Sequence, residues 1–132
     1  MLERTLLAAA LALGPAAVLA ADLVVVGHPT AAAITREQVA DLFLGKNPAL
    51  TPVDLPESSP LYAEFYRKAT GRDVAQVKAT WARLVFSGKA QAPRQVPDAA
   101  AVRRAVAADP KAIGYIEKTS VDSSVKVLLP LD

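Results

Sequence analysis

The chain has 132 residues, a formal net charge of +2 and no cysteine. The missing thiols exclude disulfides and thiol chemistry, and the mild excess of Lys and Arg is spread without a basic block, so charge gives no indication of a nucleic-acid partner. A chain of this length has room for one hydrophobic core and hardly for two.

The first elements read as an export signal. Met1 to Arg4 precede an almost unbroken apolar run from Leu6 to Leu19, and the chain turns polar at Asp22. Val18 and Ala20 occupy the small-residue positions before a processing site, while the run falls short of the roughly 20 residues that a bilayer span needs. Residues 1–20 are therefore expected to be a cleavable signal peptide. Residues 21–132 are expected as a single periplasmic domain with no membrane span in the mature form.

Leu23 to Val26 is a continuous β-branched run ending at Gly27, the pattern of a strand covered on both faces. His28, Pro29 and Thr30 form the loop that leaves it. Thr35 and Gln38 make a capping box for a helix carrying Val39, Leu42 and Phe43 on one face, which Gly45 ends. A second strand falls within Leu50 to Leu55, and its prolines predict a short or edge element. Ser59 and Pro60 start the next helix, with Leu61, Phe65 and Ala69 recurring every fourth residue beside Tyr62 and Tyr66, until Gly71. Asp73 and Gln76 cap the longest amphipathic helix, on which Val77 and Trp81 are expected to be core. Lys89 to Pro97 reads as a surface connection. Asp98 begins a helix with Val102 and Val106 inward and Arg103 and Arg104 outward. Ala112 to Ile116 reads as a strand whose Gly114 marks a close approach, and Val125 to Leu129 as the last strand. Strands alternating with helices predict an α/β fold, a small mostly parallel three-layer sandwich.

Chemistry is concentrated between Asp54 and Pro60, a strand end, a tight loop and a helix start. Helix-start amides assisted by serine hydroxyls can hold an oxyanion without a basic side chain, although Ser59 as a plain cap explains the same residues. Asp54 and Glu57 oppose an anion unless one of them accepts a proton-bearing ligand or points away. His28 is the sole histidine and has neither a metal-ligand partner nor a nucleophile-elbow motif to serve. No nucleophile, base or metal constellation emerges, so the chain reads as non-catalytic, without a cofactor.

Several segments resemble the substrate-binding proteins of phosphate ABC transporters. The resemblance rests on Thr35 to Lys46, on Pro52 to Asp54 with Ser58 and Ser59, on Tyr62 to Tyr66, and on Ala112 to Ile116. It implies a single lobe of the type 2 periplasmic binding protein fold. It also implies an oxyanion held between two lobes by loop amides, hydroxyls, an aspartate and an arginine, with Thr30, Asp54, Ser58 and Ser59 as ligand-binding positions. The family's Arg-x-x-Ser-Gly-Thr pattern is replaced here by Asp54 to Ser59, without the arginine or the glycine. The implied function is a periplasmic binding or accessory protein for phosphate or another small oxyanion. The alternative is a protein-interaction or signalling module of the cell envelope. Either reading leaves room for an envelope protein or a second copy to complete the half cleft.

Overall fold

The computed structural model describes residues 22–131, and the signal peptide expected over residues 1–20 lies outside the described residues. In chain order the elements are β1 (Leu23–Gly27), α1 (Arg36–Phe43), β2 (Thr51–Asp54), α2 (Pro60–Thr70), α3 (Val74–Phe86), β3 (Arg94–Gln95), α4 (Ala99–Ala108), β4 (Ala112–Glu117) and β5 (Lys126–Pro130).

Helix boundaries follow local side-chain chemistry. Thr35 Oγ1 accepts from the Gln38 amide at 3.1 Å while Gln38 Oε1 accepts from the Thr35 amide at 2.9 Å, closing the capping box at α1. Asp73 and Gln76 repeat that exchange at α3, and Asp98 caps α4 through the Ala101 amide. Gly71 closes α2 in the left-handed conformation with φ of 72°, which costs glycine no steric penalty.

The five strands lie in the order β3-β2-β4-β1-β5. β2 pairs in parallel with both β3 and β4, whereas β1 runs antiparallel to its neighbours β4 and β5. Four strands therefore share one direction and only the first is reversed. β2 is short, as its prolines predict, but it is interior. The edge next to it is β3, a two-residue strand within the stretch that reads from sequence as a surface connection. Neither of its residues is buried, so no apolar run marks it.

Successive residues of β4 point to opposite faces. Gly114 faces α4, where an added methyl group would stand 2.7 Å from Val102 Cγ1. Tyr115 faces the other way, stacked on Phe65 of α2 with ring centroids 3.8 Å apart and within 6.0 Å of Phe43 of α1. The sheet is thus covered by α1 and α2 on one side and α4 on the other, a three-layer α/β sandwich. α3 packs against α2 and against the C-terminal end of α1 around Phe43 and Gly45. Trp81 is buried there and its Nε1 donates to the Phe43 carbonyl at 3.0 Å, so it is a core residue, as its helical spacing predicts.

Candidate functional site

β2 ends at Asp54, a carboxylate in an otherwise apolar core and 2% exposed. Its Oδ2 accepts from the Tyr66 hydroxyl at 2.6 Å, and its Oδ1 accepts from the Tyr115 hydroxyl and from the Leu55 amide at 3.0 Å. Burial disfavours the charged form more than these three donors stabilise it, and the carboxyl is pushed up to about 6. The same burial, with the neighbouring carboxylate, pushes both tyrosine hydroxyls strongly upward, so they remain donors at any ordinary pH. Tyr62 is raised to about 12 by its own desolvation and by the negative charges of Asp54 and Glu57. Asp54 is thus a buried acceptor tying β2 to α2 and β4, and neither of its oxygens is open to a ligand in this conformation.

Immediately beyond it, Pro56 to Ser59 form a turn in which the Ser59 amide donates to the Pro56 carbonyl at 2.9 Å. Ser59 caps α2, its Oγ accepting from the Leu61 amide at 3.2 Å, and Pro60 fills the first helical position. The cap therefore consumes the Ser59 side chain. Ser58 is exposed, and its hydroxyl, its amide and the Glu57 amide have no hydrogen-bond partner among the described residues. These three successive donors sit at the positive end of the α2 dipole. The Glu57 carboxylate beside them pairs with Lys78 at 3.2 Å, which offsets part of its repulsion toward an anion.

Thr30 does not join this group. Gly27 and Pro52 both stand opposite Ile113 in β4, so the exit of β1 and the entry of β2 share one end of the sheet. The Asp54 to Ser59 loop leaves from the other end. Thr30 instead forms a local turn with His28, whose Nδ1 lies 2.7 Å from Thr30 Oγ1. Grouping Thr30 with Ser58 requires β1 to run with the other strands, and the reversal of β1 separates them. Sequence reading also missed the Tyr66 and Tyr115 clamp. An aspartate flanked by the apolar Val53 and Leu55 is the one available signal, since a buried carboxylate requires hydrogen-bond partners. Among the described residues no group of three or more His, Asp or Glu side chains is placed to hold a metal ion.

Neither a protein-family model nor a curated protein matches the chain. Solved structures do. An ABC-type phosphate transport receptor from Vibrio cholerae superposes with a TM-score of 0.65 at 22% identity over 82% of this chain and 45% of the receptor. A putative phosphate ABC transporter substrate-binding protein with bound phosphate, from Clostridium perfringens, gives a TM-score of 0.65 at 17% identity over 82% of this chain and 44% of its own. PstS from Borrelia burgdorferi gives 0.55 at 18% identity, covering 83% of this chain and 47% of its own. The chain spans less than half the length of each. The fold accordingly resembles one lobe of a type 2 periplasmic binding protein.

Proposed function

We propose that the chain acts in the periplasm as a non-catalytic binding or accessory protein for phosphate or another small oxyanion, in a transport setting. The observation that carries this reading is the tip of the loop between β2 and α2. There, two consecutive amides and the Ser58 hydroxyl lack partners among the described residues at a helix start, on a fold shared with phosphate receptors. Ser58 is the main side-chain contact, Ser59 shapes the loop by capping, and Asp54 braces it from beneath. Thr30 lies at the far end of the sheet and takes no part. One lobe offers one wall, so affinity for a small anion is weak until a second copy or an envelope protein supplies the facing wall. Comparing Ser58→Ala with Ser59→Ala tests the assignment. Ser58→Ala abolishes saturable phosphate binding while leaving stability intact, whereas an unchanged response in that variant rejects the loop as the site.

A second reading, a protein-interaction or signalling module of the cell envelope, is favoured by Phe86. That ring is 95% exposed beside a half-exposed Val85 at the end of α3. A folded Phe86→Ser variant that no longer retains an envelope partner held by the native chain would support this reading. Unaltered retention would remove it.

A further inference from the structure

A groove of about 670 Å3 opens at the end of the sheet opposite the Ser58 loop, where β2 and β3 begin. Two loops flank it. One is Lys46 to Leu50, which Gly45 turns with φ of 78°, and the other is Lys89 to Pro93, which Gly88 turns with φ of 72°. Gly45 is dictated by packing as well as by conformation, since a methyl group there would meet Leu84 Cδ1 at 2.7 Å and the Trp81 ring at 3.0 Å. Leu42, Trp81 and Pro52 contribute apolar surface to the groove.

Its charge is one-sided. Among the described residues Lys46, Lys89 and Arg94 line the groove and no carboxylate does. Arg67, Lys78 and Arg103 are each in an ion pair elsewhere on the surface. The side chains of Lys46, Lys89 and Arg94 have neither a hydrogen bond nor an ion pair among the described residues. Three uncompensated cations around one concavity raise the local concentration of anions, and Arg adds a planar donor fork suited to phosphate or carboxylate. A second depression of about 290 Å3 shares Leu42, Asn47 and Leu50 with the first, and Ala31, Ile34 and Pro110 are among its other lining residues, none of them charged. A cationic concavity thus continues into an apolar one, and their combined size falls within the range of small-molecule sites.

We infer that this groove binds an amphipathic organic anion, a phosphate or carboxylate head carried on an apolar body, at a site separate from the Ser58 loop. The head lies among Lys46, Lys89 and Arg94, and the body lies over Leu42 and Leu50 toward Ile34.

The probe is 1-naphthyl phosphate, titrated into the isotopically labelled domain at constant ionic strength, with inorganic phosphate and neutral 1-naphthol as controls. The expected result is a saturable shift of the amides of Lys46, Asn47, Thr51 and Arg94 and of the Trp81 indole, with at least tenfold tighter binding of naphthyl phosphate than of either control. The Lys46→Gln, Lys89→Gln, Arg94→Gln triple variant weakens binding at least tenfold, and because all three side chains are exposed the variant keeps the native spectrum elsewhere. Raising the salt weakens binding to the native chain in the same direction, a readout that needs no variant. Ser58→Ala leaves the response intact, which separates this site from the loop. Absence of a saturable response in the groove, equal affinity for inorganic phosphate, or unchanged affinity in the triple variant would each overturn the assignment.

Discussion

Replacing Asp54 by asparagine removes one buried charge while keeping the shape of the side chain, and its effect on stability should depend on pH. The carboxyl titrates near 3.8 in the unfolded chain and near 6 in the fold, because burial outweighs the donors from Tyr115, Tyr66 and the Leu55 amide. A group whose folded value is raised contributes stability that is complete below the unfolded value and is lost as pH rises through the folded one. For Asp54 the contribution is full below about pH 4 and gone above about pH 7, and the gap corresponds to roughly 3 kcal/mol. The substituted amide does not titrate. Its carbonyl accepts from the Leu55 amide and one tyrosine, and its NH2 group donates to the other tyrosine, so at acid pH the two chains should differ by about 1 kcal/mol or less. Urea denaturation at intervals between pH 3.5 and 8 measures the difference between the Asp54→Asn variant and the native chain, which cancels every other titrating group. That difference should move in favour of the variant by roughly 3 kcal/mol across this window. A flat difference would show that the hydrogen bonds to Asp54 balance its burial, and one that turns against the variant as pH rises would show that they exceed it; either result overturns the raised carboxyl.

Trp81→Ala should cost roughly 3–5 kcal/mol in chemical denaturation, since transfer and cavity contributions add, and Trp81→Phe should show the smaller loss of the bond to Phe43. Gly114→Ala should destabilise by roughly 1–3 kcal/mol by driving a methyl group into Val102, and Val102→Ala in the same chain should recover part of that loss. Ser59→Ala should lower the midpoint by an amount worth about 1 kcal/mol through loss of the α2 cap, while Ser58→Ala should leave it unchanged. Intact-mass measurement of the exported protein should show a chain beginning at Ala21 or Asp22.

Elements whose signals lie within a few residues were readable. The capping boxes at Thr35 and Asp73, the Ser59-Pro60 start and the Gly71 stop are each local chemistry, and each appears where the sequence puts it. A glycine inside an apolar strand likewise marks the close approach at Gly114, although the partner it meets, Val102, lies on another element. The direction of β1 was not readable, because a continuous apolar run fills a covered strand equally well in either direction. That single ambiguity places Thr30 with Ser58 when the sheet keeps them at opposite ends. β3 lacks a buried face and left no pattern. The clamp on Asp54 joins residues 12 and 61 positions away, a pairing that only the tertiary fold creates. The groove between the Lys46 and Lys89 loops was invisible for the same reason, since only the fold brings those loops to one end of the sheet.

Whether the proposed loop between β2 and α2 holds a small oxyanion is decided by amide NMR of the native domain titrated with millimolar inorganic phosphate. Held at constant pH and ionic strength, the amides from Glu57 to Tyr62 should shift saturably and together, with Ser58 moving most. The His28 and Thr30 amides at the far end of the sheet should stay still. A loop that does not respond, or a saturable response confined to Lys46 to Thr51 and Lys89 to Arg94, would rule out the loop as the phosphate site.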